Sequence, residues 1–284
     1  MFKWLKSGVW GMAMCLVLTL PVLILANPAA SAEGTLERIL REKKVRICWI
    51  SSPPQEMKDP KTGEVTGYFV DAAKYIFAEL KVESEFIEEK WGTFVASLQS
   101  GRVDFCIASA FASIKRSAVI VFTQPILYIG RSAIVKKGDT RFKRLADFNN
   151  KDVTIAVIQG SRSQEFVESS LPKAKLLAIG GNDPSTPFLA VSAGRADVGI
   201  NDAWTARRYA RNQPGVTDLF GDEPYNVSPM AWSLRSKDIQ LLNFLNTSLS
   251  WIIQRGTFEE MALKYENAGR YKEQIRLVPF AVKN

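Results

Sequence analysis

The sequence predicts an α/β fold made of two units of similar size. Short apolar strands alternate with amphipathic helices, the alternation restarts near residue 152, and both halves carry a Gly-Arg-x-Asp step from a helix into a strand. The two copies of this step lie at 101–104 and 194–197. Because strand–helix–strand succession at this spacing favours parallel strands, we expect each unit to hold a parallel sheet with helices on both faces.

The first unit is predicted from changes in apolar periodicity. Its expected elements are a strand over 44–49, a helix with Val70, Ala73, Phe77 and Leu80 on one face, a strand over 82–87, a helix over 91–100 and a strand over 103–108. The second unit is expected to contain a strand over 152–158, a turn at 159–161, a helix over 163–170, a strand over 175–179, a helix over 184–193 and a strand over 196–200.

The C-terminal part is predicted to be helical. An apolar stripe at Leu241, Phe244, Leu245, Leu249 and Ile252 indicates one helix, and a second over 257–265 follows the break at Gly256. No further sheet remains for these helices to cover, so we expect them to pack on one of the two units. Residues 275–284 are predicted to be an extended tail.

The N-terminus predicts the compartment. Lys3 and Lys6 precede an apolar run over 9–26, and the small residues Ala30-Ser31-Ala32 follow. A basic start, an apolar middle and a small-residue end are typical of a secretory signal peptide, so we expect cleavage after Ala32 and a periplasmic protein. An uncleaved anchor is the alternative. Cys48 and Cys106 remain after cleavage; their apolar surroundings favour two buried thiols, although an oxidising compartment permits a disulfide.

Composition excludes several classes of function. The chain has no histidine, which removes Ser–His and Cys–His nucleophile pairs and His-ligated zinc. We therefore expect no metal and no cofactor. The net charge of +8 falls to +6 without the signal peptide, and the basic residues are scattered rather than clustered. Such a surface does not indicate a nucleic-acid partner.

Candidate ligand-binding residues follow the predicted strands, because ligands of open α/β sheets bind at the carboxyl ends of strands. Ser113 can cap a short helix, and Arg116 offers a fork for a carboxylate, although it could also be a surface helix residue. Gly160 permits close backbone approach beside the helix expected to open at Ser163. Asp202 could accept a ligand ammonium or simply form a turn, and Trp91 could wall the pocket or pack.

The chain resembles the family 3 periplasmic solute-binding proteins of ABC transporters that carry polar amino acids. The resemblance covers most of residues 36–270, and its motifs are Val45-Arg46-Ile47, Gly67-Tyr68-Phe69-Val70-Asp71, the segments 98–104 and 193–197, Ser113-x-x-Arg116, Phe122-Thr123-Gln124-Pro125, Gln159-Gly160-Ser161 and Gly256-Thr257-Phe258. It implies a type II periplasmic-binding fold, in which two α/β lobes enclose a ligand cleft and two crossing strands form the hinge.

The resemblance also implies roles for residues. Arg116 matches the arginine that clamps the ligand carboxylate, Asp202 the acid that takes the α-amino group, and Trp91 the aromatic wall. The remaining implied ligand-binding residues are Ser109, Phe111, Gln159, Ser161 and Arg162. The implied lobes are 36–129 with 225–284, and 130–224, and the implied partner is an ABC permease that reads the closed form of a monomer.

Three positions depart from the family pattern. Relatives that bind cationic side chains carry an acid where this chain has Ile50, the familiar Pro-aromatic pair is Pro54-Gln55, and the usual Thr or Ser after Gln-Gly-Ser is Arg162. We therefore expect a neutral-polar or acidic ligand rather than a cationic one. The alternatives are an enzyme that uses the same cleft, as cyclohexadienyl dehydratases do, and a sensor ectodomain, which is disfavoured because no segment after residue 32 is apolar enough to span a bilayer.

Overall fold

The computed structural model describes residues 33–265 except Asp222. Its strands are β1 (Lys44–Trp49), β2 (Met57–Lys58), β3 (Val65–Thr66), β4 (Glu83–Glu88), β5 (Phe105–Phe111), β6 (Ile120–Phe122), β7 (Leu127–Lys136), β8 (Thr154–Ile158), β9 (Lys175–Ile179), β10 (Val198–Asp202), β11 (Val216–Asp218) and β12 (Tyr225–Arg235). Its helices are α1 (Thr35–Glu42), α2 (Tyr68–Ala78), α3 (Phe94–Gln99), α4 (Ile114–Ser117), α5 (Arg162–Ser170), α6 (Thr186–Ser192), α7 (Ala203–Asn212), α8 (Ile239–Gln254) and α9 (Thr257–Leu263), with a 3₁₀ turn at Leu145–Phe148.

One mixed sheet runs through both halves of the chain in the order β4-β1-β5-β12-β7-β10-β8-β9. The outer strands are parallel within each half: β1 pairs with β4 and β5, and β8 pairs with β9 and β10. The central strands β7 and β12 are antiparallel to each other and to the strands that flank them. The strands within each half are parallel, as expected, and the antiparallel strands β7 and β12 cross between the halves, as the family resemblance implies.

Separate apolar cores lie on the two halves, which we call the first lobe (around β4, β1 and β5) and the second lobe (around β10, β8 and β9). In the first lobe, α8 and α9 bury Leu245 and Phe258 with Phe69 and Trp232. The C-terminal helices thus pack on the first lobe, and Gly256 in a left-handed conformation separates them, as expected. Phe148 and Phe166 belong to the core of the second lobe.

Most predicted elements occur within a few residues of their expected ends. Helix α2 stops at Ala78, before Leu80, and α5 begins at Arg162 because Ser161, not Ser163, is its N-cap. Helix α7 and strand β12 were not predicted. The signal peptide with its cleavage after Ala32 and the tail over 275–284 lie outside the described residues and stay predictions.

Cys48 and Cys106 form a disulfide. The two cysteines face each other in the parallel register of β1 and β5, with 4.2 Å between their Cα atoms. The expectation of two separate thiols is wrong, because a separation of 58 residues in sequence does not reveal that the strands are neighbours.

Candidate functional site

A cleft lies where the carboxyl ends of the parallel strands of the two lobes meet the central strands, and it holds about 590 Å³ of empty space, part of it open to solvent. From the first lobe it is lined by Ser51, Ser52, Gln55, Trp91, Ser109 and Phe111. From the second lobe it is lined by Ile158, Ser161, Arg162, Ser163, Asp202 and Trp204, and the crossing strands add Ile129 and Met230. Its lining combines aromatic and apolar side chains with a few polar groups, as sites for small organic ligands do.

Two helices of the second lobe begin at the cleft. Ser161 caps α5 and accepts a hydrogen bond from the Gln164 amide at 3.3 Å. Asp202 caps α7, accepting from the Thr205 amide at 2.8 Å and from the Thr205 hydroxyl at 2.7 Å. Asp202 therefore has the structural role that the sequence left open, while each of its oxygens retains a lone pair for a ligand donor.

A buried acid stands behind the first-lobe wall. Glu56 has no exposed surface, and its Oε1 accepts hydrogen bonds from the amide and hydroxyl of Ser109, at 2.8 and 2.9 Å. Its Oε2 has no hydrogen-bond partner among the described residues. Burial raises the pKa of Glu56 well above the ordinary value for a carboxyl, which the two Ser109 bonds offset only in part.

Arg116 connects the two lobes beside the cleft. Its Nε lies 3.2 Å from Oε1 of Glu165, and its Nη2 donates to the Gly160 carbonyl at 3.1 Å. Its Nη1 donates to the carbonyl of Phe111 on its own lobe, at 3.3 Å. Arg116 is almost fully buried, so it is not a surface helix residue, and burial lowers its pKa. Its side chain does not line the cleft, since Glu165 and the two carbonyls occupy its donors.

The lobes approach each other closely at Gly160. Its φ is +75°, and a Cβ built there would lie 2.7 Å from the backbone nitrogen and Cα of Gly92. A side chain at position 160 would therefore need both a left-handed backbone and a displaced neighbour. The sequence predicted a close backbone approach at Gly160. In the structure, the group that Gly160 approaches is the Trp91–Gly92 backbone of the first lobe.

The predicted site residues divide into two groups. The structure brings Trp91, Ser109, Phe111, Ser161, Arg162 and Asp202 to the cleft wall, and it leaves Arg116 and Gln159 outside that lining. Their roles toward a ligand stay predictions. Contrary to expectation, Ile50 does not face the cleft. It is buried with Cys48 and Phe94, and Ser51 lines the wall instead.

Three charged residues near the cleft were missed or left undecided. Glu165 on α5 pairs with both Arg116 and Arg162. Glu56 follows the first predicted strand, but the sequence alone gives no direction for its side chain. Arg131, in the middle of the apolar strand β7, is fully buried and stacks on Phe111 with 4.7 Å from its guanidinium carbon to the ring centre. The sequence feature that could have identified Arg131 is a charged residue within an otherwise apolar strand.

Residues 45–268 match the family of bacterial extracellular solute-binding proteins, family 3. The match covers most of the chain, and the chain belongs to this family. Its two-lobed α/β architecture is the type II periplasmic-binding fold that the sequence predicted. Among the described residues, no helix is long and apolar enough to cross a membrane, and no cluster of His, Cys, Asp or Glu could hold a metal ion.

Relatives include binding proteins and one enzyme. The chain is 24% identical over 256 residues to the lysine/arginine/ornithine-binding periplasmic protein of Escherichia coli, covering 88% of this chain and 95% of that protein. It is 24% identical over 213 residues to cyclohexadienyl dehydratase of Pseudomonas aeruginosa, covering 74% and 79%. The crystal structure of an ancestral amino acid-binding protein, a precursor of cyclohexadienyl dehydratase, superposes with a TM-score of 0.72 at 28% identity, covering 82% of this chain and 99% of that one.

Proposed function

We propose that this chain is the extracytoplasmic solute-binding protein of an ABC importer and binds an amino acid or related small carboxylate in its cleft. The observation that carries the proposal is a cleft walled by both lobes, with the acid Asp202 and the cation Arg162 on its surface. Such a wall can bind both ends of a zwitterion. The amino-acid-binding relatives support the same function.

The mechanism we propose is closure of the lobes on the ligand. A ligand that contacts both lobes favours the closed arrangement by its differential affinity for that arrangement. Arg116 takes the carboxylate after exchanging its bond to Glu165, and Asp202 takes the amine. The lobes are assigned to 36–129 with 225–284 and to 130–224, and a permease reads the closed monomer at the periplasmic face of the inner membrane.

Mass spectrometry of the small molecules released from purified protein tests the proposal, together with a thermal-shift screen of the twenty amino acids and small dicarboxylates. A ligand at a hundred times its dissociation constant adds about 2.7 kcal/mol to the free energy of unfolding. We expect one of these compounds to be recovered unchanged and to give such a shift. If none of them stabilises the protein or is released from it, the proposed function is wrong.

A second candidate is an enzyme that works in the same cleft. It is favoured by the likeness to cyclohexadienyl dehydratase and by the raised pKa of Glu56, since a carboxyl with a raised pKa holds its proton more readily and can act as a general acid. It ranks second because Glu56 contacts Ser109 and does not itself line the cleft. Turnover of prephenate by the wild type, lost in Glu56→Gln, would support the enzyme; recovery of intact ligand supports the carrier.

A further inference from the structure

One edge of the Arg131 guanidinium makes no hydrogen bond among the described residues. The side chain lies on the crossing strand β7 and has no exposed surface. Its Nη1 donates to the carbonyl of Asn226 at 3.0 Å, but Nε and Nη2 have no hydrogen-bond partner among the described residues. Burying a guanidinium with N–H groups that make no hydrogen bond costs several kcal/mol, so this arrangement calls for a partner.

The two unused atoms define the shape of that partner. Nε and Nη2 lie on the same edge of the planar guanidinium and direct two parallel N–H groups, which match the two oxygens of one carboxylate. The ring of Phe111 lies against the group, with its centre 4.7 Å from the guanidinium carbon, and offers no hydrogen-bond acceptor to this edge other than its π face. Burial lowers the pKa of Arg131 to about 10, so the group still carries its charge at neutral pH.

The strand register places Arg131 on the same side of the sheet as two residues that line the cleft, directly behind a lining to which Arg131 itself does not belong. Side chains two residues apart on a strand share a face, and Ile129, two residues before Arg131 on β7, lines the cleft. On the neighbouring strand β10, Asp202 is the residue directly opposite Arg131, and Asp202 also lines the cleft. Directly opposite residues project to the same side of a sheet with their Cβ atoms about 5 Å apart.

Among the described residues whose charges interact around the cleft, guanidinium groups outnumber ionised carboxylates. Three guanidinium groups, those of Arg116, Arg131 and Arg162, face two carboxylates, those of Glu165 and Asp202. Glu56, the remaining acid at the wall, is held toward its neutral form by burial. A zwitterionic ligand has no net charge and leaves one positive charge uncompensated, whereas a ligand with a second carboxylate neutralises it.

We propose that Arg131 is a specificity-determining residue that binds a second carboxylate of the ligand, so that the protein selects an acidic amino acid over its amide. This inference rests on the proposed binding function and narrows the class of ligand. Asp202 and Arg131, opposite each other on β10 and β7, then bind the amine and the extra carboxylate of one molecule. Arg116 takes the α-carboxylate after exchanging its bond to Glu165, as in the proposed mechanism.

Titration calorimetry with matched pairs of probes tests this assignment: glutamate against glutamine, and aspartate against asparagine. A charge-assisted bidentate contact predicts that the wild type prefers at least one acid over its amide by about tenfold or more. Arg131→Gln should bring that ratio close to one, and Arg131→Lys, which keeps the charge but not the fork, should give an intermediate ratio. The control is Arg235→Gln, another buried arginine whose Nη1 donates to the carbonyls of Leu98 and Val103.

The outcomes separate this inference from the proposed function. Equal or tighter binding of the amides by the wild type overturns the inference but leaves the binding function intact. A preference for the acid that survives in Arg131→Gln, or falls equally in Arg235→Gln, overturns the role of Arg131. If no amino acid or dicarboxylate binds, the proposed function and the inference are both wrong. If both Arg131 variants fail to fold, the wild-type comparison still decides whether the protein prefers an acidic amino acid over its amide.

Discussion

At the scale of single residues, the acids around the cleft already have partners inside the protein. Asp202 accepts two hydrogen bonds from Thr205, and Glu56 accepts two from Ser109. Such bonds fix the side-chain rotamers, so a ligand meets a prearranged wall rather than flexible groups. These bonds also give each acid a structural role, which any substitution disturbs. Conservative replacements by the corresponding amide disturb it least and are therefore the variants to compare with the wild type.

Glu56→Gln should change how stability depends on pH. Because burial raises the pKa of Glu56 above its ordinary 4.5, the folded protein holds this proton to higher pH than the unfolded chain. Wild-type stability therefore falls as pH rises from about 4.5 to the folded pKa, by up to about 1.4 kcal/mol per pH unit from this group.

The glutamine variant lacks this titration, so its melting temperature should rise relative to the wild type over that pH range. Thermal unfolding between pH 4 and 8 measures the difference. Glu83→Gln, which replaces an exposed glutamate on β4, is the control and should follow the wild type. A difference between Glu56→Gln and the wild type that stays constant with pH would contradict the prediction.

Asp202→Asn should distinguish ligands by their amine. Asparagine can still cap α7 through its amide oxygen, so the fold should persist, but it lacks the charge that pairs with an ammonium. We expect affinity for the amino acid found in the screen to fall by about tenfold or more, and affinity for its des-amino analogue to change by less than about threefold. Calorimetry measures both, and equal losses would mean that Asp202 does not bind the amine.

The residue scale is also where the sequence was least informative. Trp91, Phe111 and Asp202 were placed near the cleft by family motifs, and the structure brings them to its wall. Arg131 matches no motif, and its role depends on facing Asp202 from a strand 71 positions away, which local sequence does not encode. The engagement of Arg116 with Glu165 was likewise hidden, because the two residues lie on different lobes.

At the scale of elements, the strands with local partners were predictable and the crossing strands were not. Strands β1, β4 and β5 and the helices between them follow from periodicity, because each crossover returns to a neighbouring strand. Strands β7 and β12 pair with each other from opposite ends of the second lobe, so no local pattern reveals their antiparallel register. At the turn around Gly160, the local motif Gln159-Gly160-Ser161 also makes a long-range contact, with the backbone of Gly92.

Replacing Gly160 tests that contact. Alanine at φ +75° costs about 1–2 kcal/mol by itself, and its Cβ would also collide with the Gly92 backbone. Gly138→Ala is a matched control, since Gly138 has a φ of +84° with open space around it. We expect the left-handed backbone to lower the free energy of unfolding by a similar amount in both variants. Only Gly160→Ala should also lose ligand affinity, by about tenfold or more. Equal affinities in the two variants would show that the approach of Gly160 to Gly92 is not needed for binding.

At the scale of the whole molecule, Glu165 links the lobes. Its carboxylate lies between Arg116 of the first lobe and Arg162 of its own helix, with its oxygens 3.2 and 3.4 Å from them. Ser113 of the first lobe also lies 3.5 Å from Glu165. Because these side chains are mostly buried, the ion pair is screened less than an exposed one, and it stabilises the arrangement in which the lobes touch.

Glu165→Gln should therefore shift the ligand-free protein toward an open arrangement. Glutamine keeps the shape of the side chain but loses the charge, and a loss of about 1 kcal/mol changes the ratio of closed to open molecules by about fivefold. Small-angle X-ray scattering should show a larger radius of gyration than in the wild type. Glu168→Gln, on the same helix but bonded to Gln164, should leave the radius unchanged.

Tryptophan fluorescence gives an independent readout of the same shift. Trp91 lines the cleft and lies 5.9 Å from the Arg116 guanidinium, so its surroundings change when the lobes separate. The difference in emission between Glu165→Gln and the wild type should largely disappear when both also carry Trp91→Phe. This background is needed because the chain contains seven tryptophans. If scattering and emission of Glu165→Gln both match those of Glu168→Gln, the ion pair does not hold the lobes together, and closure depends on the ligand alone.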